Sequence, residues 1–309
     1  MPELVALLDL GSNAARFVLA RVKPGRGYKV LREERVQTRL GSGTPGHLPR
    51  AAVATTLDAV HSFLNRVTNG AQPRVLAVAT EAVRRAENRE RLLAALRDRE
   101  GVAVHVLSGR DEGRLGALAA LNSLPVRDGT VADLGGGSLQ LSRIRDGRIG
   151  AGASLPLGAI RLTDRYLRHD PPILSEVRAL RQEVRHHLAD SRWSAGPADS
   201  LVGLGGTVRS LARVHMVTAH EGRKSRHGLT LHQSDVTAIR ERLERLPLAR
   251  RRRVPGLKSE RADIVLAGIM VLEELMLFGR YFTLTVCTRG VRDGLLLCEA
   301  WRERSPESR

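Results

Sequence analysis

The segment VADLGGGSLQL, residues 131–141, decides how this chain folds. A short run that contains Thr130 and Val131 leads to Asp133 and three consecutive glycines, and alternating leucines resume after Ser138. The pattern predicts a strand, a tight turn and a second strand. Because glycine has no Cβ, the turn can approach a ligand closely and direct its amides at an anion. Asp133 would then face a phosphate with a cation or a water, unless the glycines serve only to turn the chain.

A second copy of this pattern lies near the N-terminus. Residues 4–8 predict a strand, and Asp9 at its end precedes a glycine, Ser12 and Asn13, before a return strand over 17–22. Two repeats of one strand, acid and glycine-turn device are less expected by chance than either alone. Anion binding therefore becomes the favoured interpretation of both turns.

A third glycine-rich turn opens a predicted helix. The sequence GLGGTVRSLA, residues 203–212, follows a predicted strand over 200–204 and supplies Gly205, Gly206 and Thr207. Amides at a helix N-terminus bind phosphate readily. The spacing is not that of a dinucleotide fingerprint, and the later ribose-binding acid is absent.

The length of the chain predicts two domains. A chain of 309 residues exceeds the size at which one hydrophobic core stops growing. Pro125 to Gly129 has the composition of a linker, so the boundary is predicted near residue 126, giving domains 1–125 and 126–309. The last helix is free to pack back on the first domain.

The charge of the chain indicates a polyanionic partner. Fifty Lys and Arg against 33 Asp and Glu give a net charge of +17, although the large share of Arg is also a signature of genome composition. Aromatic residues make up only 3%, too few for base stacking, so no specific nucleic acid is expected. A basic loop over 221–233 and the run Arg250–Arg253 either line an anion path or are simply solvated.

The two cysteines, Cys287 and Cys298, exclude a disulfide framework and match no zinc spacing. Free thiols, together with an N-terminus that shows no secretory signal, predict a cytoplasmic protein. The apolar run from Ile264 to Leu272 is too short to span a bilayer and predicts a buried helix, so no membrane partner is expected.

Eight motifs occur in this order along the chain: DLGSNAARF, ATEAVRRAEN, LSGRDEGRL, ADLGGGSLQL, SLPLGAIRLT, GLGGTVRSLA, VPGLKSERADIVLAG and TRGVRDGLLL. Together they resemble the exopolyphosphatase and guanosine pentaphosphate phosphohydrolase family. The resemblance covers the chain from Asp9 to about Leu297 and implies the actin-like ATPase fold: an α/β protein in which two ribonuclease-H-like domains, each a mixed sheet flanked by helices, face an interdomain cleft. It is also compatible with a homodimer.

The resemblance also implies roles for single residues. The family's water-activating acid falls on Glu112, in the first turn of a predicted helix, where acids ordinarily serve the helix dipole. Asp133 would orient that water or, like Asp9, hold a divalent cation, Mg²⁺ or Mn²⁺. The implied phosphate-binding residues are Ser12, Asn13, Arg16, Arg84, Gly135, Gly136, Gly137, Ser138, Gly205, Gly206 and Thr207.

Three departures from the family pattern bear on activity. Ala14 stands where a serine is common, so one donor is lost, and Asp111 and Gly113 replace a commoner Glu and Ala. Gln140 stands where the family has a second carboxylate. A neutral amide can orient water, but it neither neutralises a cation nor accepts a proton, so metal affinity and turnover are the properties at stake.

The resemblance implies an exopolyphosphatase that releases terminal orthophosphate from inorganic polyphosphate by metal-assisted attack of water, with Glu112 as general base. Two alternatives stay open. One is hydrolysis of the 5′ γ-phosphate of guanosine pentaphosphate, and the other is a weakly catalytic protein that binds polyphosphate or the alarmone. A sugar kinase shares the implied fold, but no sugar-site signature is present.

Overall fold

The protein is described here by a computed structural model that covers residues 2–68, 72–194, 200–219 and 225–301. These residues form two mixed sheets flanked by helices, which confirms the predicted α/β class. The chain divides into two compact units, Met1–Ser108 with Val291–Arg309 and Gly109–Gly290.

The N-terminal part of the first unit contains, in chain order, β1 (Glu3–Leu10), β2 (Ala15–Lys23), β3 (Gly27–Val36), α1 (Arg50–Thr68), β4 (Arg74–Ala79), α2 (Glu81–Arg85), α3 (Glu90–Glu100) and β5 (Val104–Val106). Its sheet has the order β3-β2-β1-β4-β5. β1 pairs antiparallel with β2 and parallel with β4. Residues 5–8 of β1 are buried and apolar without alternation, as expected of a central strand covered on both faces.

The second unit contains α4 (Gly109–Leu121), β6 (Gly129–Leu134), β7 (Leu139–Arg145), β8 (Arg148–Leu155), α5 (Ala159–Tyr166), α6 (Leu174–Asp190), β9 (Ser200–Gly205), α7 (Gly206–Thr218), β10 (Thr230–His232), α8 (Gln233–Glu244), α9 (Leu248–Arg251), α10 (Val265–Phe278) and β11 (Thr283–Val286). Its sheet has the order β10-β11-β9-β6-β7-β8. The strands β6, β7 and β8 form an antiparallel meander, and β6, β9 and β11 run parallel. The five strands of the first unit repeat the order and directions of β8-β7-β6-β9-β11, an arrangement typical of a ribonuclease-H-like domain, and β10 is an additional edge strand.

The last helix, α11 (Val291–Ala300), belongs to the first unit, where it packs on β2 and β3. Its side chains Leu296 and Ala300 are buried in a cluster with Val5 and Leu7 of β1. Tyr28 of β3 donates a hydrogen bond of 2.7 Å to Asp293. Helix α11, near the C-terminus, thus covers one face of the sheet that contains the N-terminal strand β1.

The units separate after Ser108, which differs from the predicted boundary near residue 126. Helix α4 packs on β6, β7 and β8, and this contact places it in the second unit. Pro125 to Gly129 is therefore the connection between α4 and β6 within one unit, where Gly147 donates a hydrogen bond of 2.8 Å to the carbonyl of Arg127.

Helix α10 is the buried helix that the sequence predicts. It is apolar over most of its circumference, and residues 265–276 are buried, which is typical of a helix enclosed by a core. Glu273, also buried, accepts hydrogen bonds from Arg181 at 2.6 Å and from Thr237 at 2.7 Å, and pairs with Arg240 at 3.0 Å. No helix of the described chain is long and apolar enough to cross a membrane.

Candidate active site

The central hairpin has the predicted strand, turn and strand. β6 and β7 pair so that Leu134 faces Leu139, and the amide of Gly135 closes the turn by donating to the carbonyl of Ser138 at 2.9 Å. The carbonyls of Gly135 and Gly136 accept hydrogen bonds from the first turn of α5, at 3.1 and 2.9 Å. With its carbonyls engaged in this way, the turn has the amides of Gly136 and Gly137 left, and these donate to no backbone carbonyl of the described chain.

The close contact between the turn and α5 depends on Gly158. An ideal Cβ at this position would lie 2.1 Å from the carbonyl carbon of Gly137 and 2.3 Å from its nitrogen. Only a glycine leaves room for such an approach. The turn at Gly135–Ser138 is therefore held from behind by a helix.

The second turn of this unit lies beside the first. β9 runs parallel to β6, with Leu134 opposite Gly205, so the two turns emerge at the same edge of the sheet. Gly205 has a φ of +99°, and α7 begins directly after it. The hydroxyl of Thr207 lies against Gly268 and is buried without a hydrogen-bond partner in the described chain, and the amides beside it are at a helix N-terminus, a position that suits phosphate.

Asp133 lies between these two turns and α4. Its Oδ1 is 3.2 Å from the ideal Cβ position of Gly205, and its Oδ2 is 3.4 Å from that of Gly116. The glycines of α4 let this helix approach the sheet closely. Glu112 is buried and precedes Gly116 by four residues, so it lies on the same face of α4. The two predicted catalytic carboxylates thus belong to one side of one helix–sheet contact.

Gln140 is directly opposite Asp133 in the hairpin, and its side chain is buried. The amide nitrogen of Gln140 donates to the hydroxyl of Ser138 at 2.5 Å and to that of Ser154 at 3.3 Å. A carboxylate could not donate these bonds. In this chain the residue therefore fixes the Ser138 side chain at the end of the glycine turn.

Arg261 is a candidate site residue that the sequence did not indicate. It is buried, and its guanidinium lies against the backbone of Gly206 at the start of α7. A phosphate bound at this turn would meet a fixed bidentate donor as well as backbone amides. The motif around Arg261 is visible in the sequence, but its contact with Gly206 arises only in the folded chain.

In the first unit, the turn after β1 repeats the design of the central hairpin. The carbonyls of Ser12 and Asn13 accept hydrogen bonds from Gly41 and Arg39, at 2.8 and 3.1 Å. The side-chain amide of Asn13 is buried, and neither its oxygen nor its nitrogen has a hydrogen-bond partner in the described chain. Buried polar atoms are nearly always satisfied, so Asn13 is suited to bind an external group.

Asp9 lies at the end of β1, opposite Arg16 of β2. Burial raises the pKa of Asp9, and the positive charges of Arg292 and Arg16 oppose this rise. Arg292 Nε is 3.8 Å from Asp9 Oδ2, and Arg292 also donates to Glu33 at 2.6 Å. Arg292 comes from α11, so its contact with Asp9 was not predictable from the pattern around either residue.

Two other arginines that the sequence singled out, Arg84 and Arg251, are bound to groups of the protein itself, and part of the basic loop lies outside the described residues. Arg84 donates to the carbonyl of Leu107, which ties α2 to the end of β5. Arg251, within the arginine run, is buried and pairs with Asp170 at 3.1 Å, so it supports the fold and does not line an anion path. Arg223 and Lys224 of the basic loop lie outside the described residues.

No group of three or more His, Cys, Asp or Glu residues in the described chain forms a cage for a metal ion. Mg²⁺, however, is commonly bound by one or two carboxylates together with substrate phosphates and water. Asp133, beside two glycine turns, offers a donor of this kind. Asp133 and the glycine turns therefore fit a divalent cation that binds together with a phosphate ligand.

Comparison with known proteins shows which enzymes and structures this chain is similar to. The chain is 30% identical to exopolyphosphatase 1 of Mycobacterium leprae, over 95% of this chain and 88% of the relative, and 32% identical to exopolyphosphatase 2 of Mycobacterium tuberculosis, over 95% and 97%. A crystal structure of the Ppx/GppA family member of Aquifex aeolicus matches 97% of this chain and 98% of its own, with a TM-score of 0.79 and 29% identity. An exopolyphosphatase structure from Cytophaga hutchinsonii has the same fold, with a TM-score of 0.87 at 23% identity, over 96% and 98%.

The sequence profile of the Ppx/GppA phosphatase family matches residues 18–303, almost the whole chain. The match includes the central hairpin, the turn before α7 and the arginine that lies against it. The chain therefore belongs to the Ppx/GppA phosphatase family.

Proposed function

We propose that this chain is an exopolyphosphatase that removes orthophosphate from the end of inorganic polyphosphate by direct attack of water. Its family makes it a hydrolase of phosphoric anhydrides, and relatives about 30% identical are named exopolyphosphatases. The observation that carries the proposal is the meeting of two glycine turns at one sheet edge, with Asp133 between them and Glu112 on the adjoining helix.

The terminal phosphate is bound by the amides of Gly135 to Ser138 and of Gly205 to Thr207, with the guanidinium of Arg261 beside the second turn. Ser12, Asn13, Arg16 and Arg84 are the corresponding donors to phosphate oxygens that we propose in the first unit. Hydrolysis of an anhydride depends chiefly on positioning and on stabilising charge at the equatorial oxygens. Amides and guanidinium groups held by the fold meet both requirements.

Glu112 acts as the general base. Its carboxylate takes a proton from water while the water oxygen forms a bond to the terminal phosphorus. The bond from that phosphorus to the bridging oxygen breaks, and the shortened polyphosphate leaves with the electron pair. Such a base contributes about 10²–10⁴ in rate. Asp133 orients the water by accepting its second hydrogen.

Asp133 would hold a divalent cation, Mg²⁺ or Mn²⁺, in the second unit, and Asp9 is the corresponding carboxylate of the first unit. When bound, the cation supplies positive charge that offsets the charge of the phosphate chain. The neutral Gln140 contributes none of this charge, which favours a weakly bound cation.

Gln140 also supports a second candidate function, that of a protein which binds polyphosphate and turns it over slowly. Its amide is committed to Ser138 and Ser154, so it serves the shape of the turn and not proton transfer. Tight binding without turnover would favour this candidate.

The substrate is tested by phosphate release from polyphosphates of graded length and from guanosine pentaphosphate, side by side, with Mg²⁺ or Mn²⁺. The proposal predicts turnover of polyphosphate and a lower kcat/KM for guanosine pentaphosphate. A preference for guanosine pentaphosphate would contradict it. A cytoplasmic location, which the free thiols of Cys287 and Cys298 favour, and a homodimer are further proposals, tested by cell fractionation and sedimentation.

A further inference from the structure

A pocket beside α7 lies outside the groups assigned to the reaction. It has a volume of about 440 Å³. Its polar lining residues are Arg213, Ser225, Arg226 and Thr288, and its apolar side chains are Met216 and Val217. All of these residues belong to the second unit.

Close packing and hydrogen bonds fix the walls of the pocket. Gly256, which also lines it, has a φ of +84°, and an ideal Cβ there would lie 2.6 Å from the carbonyl oxygen of Arg213. The amide of Thr288 donates to Nδ1 of His227 at 3.2 Å, and Nε2 of His227 lies 3.0 Å from the carbonyl of Ser123. This pairing sets the His227 tautomer with its proton on Nε2. The chain on either side of the pocket is thus tied to the body of the unit.

The pocket carries an excess of positive charge. Nε of Arg213 is buried and has no hydrogen-bond partner in the described chain. Burial lowers the pKa of Arg213, the nearby charge of Arg226 lowers it further, and Glu260 opposes the shift. Arg213 and Arg226 repel each other, and the charge of Glu260 offsets part of this repulsion. An anion bound between the two arginines would offset more of it.

The pocket and the proposed phosphate-binding turn are both formed in part by α7. Arg213 follows Gly206 along α7 by about 10 Å, at a rise of ~1.5 Å per residue. β11 runs parallel to β9, so Thr288, just beyond β11, lies at the same sheet edge as Gly205. The separation of Gly206 and Arg213 corresponds to a few phosphate units, so one polyphosphate chain is long enough to reach from the turn to Arg213.

We infer that this pocket binds interior phosphate units of a polyphosphate chain whose terminal phosphate occupies the glycine turns. The inference rests on the proposed function and names its preferred substrate, a polymer long enough to reach both places. No aromatic ring lines the pocket among the described residues, so it offers no ring on which a nucleobase could stack. A polyphosphate molecule that contacts both the glycine turns and the pocket binds more tightly, because the first contact raises the effective concentration of phosphate at the second. A short oligophosphate cannot reach both places and gains no such increase.

The test compares the double variant Arg213→Gln/Arg226→Gln with the wild type on long-chain polyphosphate, on tripolyphosphate and on guanosine pentaphosphate. We expect KM for the long chain to rise about tenfold and KM for tripolyphosphate to change at most about twofold, with kcat for the long chain retained. Arg178→Gln/Arg242→Gln, which removes the same charge from exposed positions on α6 and α8, is the matched control. Arg213→Lys/Arg226→Lys retains the charge and is expected to recover most of the long-chain affinity.

Equal losses on both substrates would overturn the inference, because they would indicate a structural role. A loss confined to guanosine pentaphosphate would also overturn it, in favour of a nucleotide pocket. If the wild type hydrolyses polyphosphate and the double variant matches it on long chains, only this inference fails. If the wild type releases no phosphate from any chain length, the proposed function fails with it.

Discussion

The guanidinium of Arg261 fills the space that a side chain at Gly206 would need. An ideal Cβ on Gly206 would lie 2.2 Å from both Cζ and Nη1 of Arg261. The glycine is required here for space, since its φ lies outside the left-handed region in which Gly205 is found. The two residues together place a charged donor at the N-terminus of α7.

Gly206→Ala is expected to displace Arg261 and to weaken phosphate binding. Arg261→Gln, which removes the charge without the backbone clash, is expected to have the same effect, and each variant should raise KM for polyphosphate by about 10- to 100-fold. Gly150→Ala is the control, because the nearest atom to an ideal Cβ there is 3.7 Å away. Steady-state kinetics decide, and an unchanged KM in Arg261→Gln would remove Arg261 from the site.

The stability of the protein should depend on the ionisation of Asp9. Its pKa is raised in the folded state by burial, against the opposing charges of Arg292 and Arg16. The cost of burying its charge is therefore absent below the unfolded pKa and fully present above the folded pKa, so the contribution of Asp9 to stability falls as pH rises through this window.

Asp9→Asn is accordingly expected to be more stable than the wild type at neutral pH, with the advantage vanishing in acid. Urea denaturation at a series of pH values, without divalent cations, measures it. Exposed Asp98→Asn is the control. An advantage that grows toward low pH would show that the sign of this argument is wrong.

Gln140→Glu tests the departure that bears most on the cation. A second carboxylate opposite Asp133 adds negative charge beside the turn, so the Mg²⁺ concentration for half-maximal activity is expected to fall about tenfold. The cost is the loss of the bond that the amide donates to Ser138. Gln182→Glu, on the exposed surface of α6, should leave the Mg²⁺ requirement as it is. If the two variants require the same Mg²⁺ concentration, position 140 does not influence the cation.

Removing one member of the buried ion-pair network on α10 should destabilise the second unit. Glu273→Gln removes the carboxylate that Arg181 and Arg240 share, while Glu274 still pairs with Arg181 and Glu244 with Arg240, so the expected cost is about 1–3 kcal/mol in the free energy of unfolding. Glu241→Gln breaks an exposed pair with Arg240 and should cost less than about 1 kcal/mol. Chemical denaturation of both variants checks the contrast, which equal costs would contradict.

Local sequence patterns were sufficient for the turns and for the enclosed helix. Asp133 with its three glycines and Asp9 with Ser12 and Asn13 each specify a turn through residues adjacent in the chain. Helix α10 is similarly evident, because its apolar residues leave no polar face.

The remaining features of the site depend on contacts between residues far apart in sequence. Arg261 reaches Gly206, and Arg292 reaches Asp9, only after the intervening chain has folded. The boundary near residue 126 was misplaced for a related reason, since the affiliation of α4 depends on its packing against β6, β7 and β8. A linker-like composition at Pro125 to Gly129 does not report on that contact.

The central claim, that Glu112 activates the attacking water, is tested most directly by phosphate release from long-chain polyphosphate by Glu112→Gln. Asp111→Asn, an exposed carboxylate in the same helical turn, is the matched control. We expect Glu112→Gln to fold, to bind polyphosphate and to lose at least about 10²-fold in kcat, while Asp111→Asn retains its rate. A folded Glu112→Gln variant that releases phosphate at the wild-type rate would contradict the account.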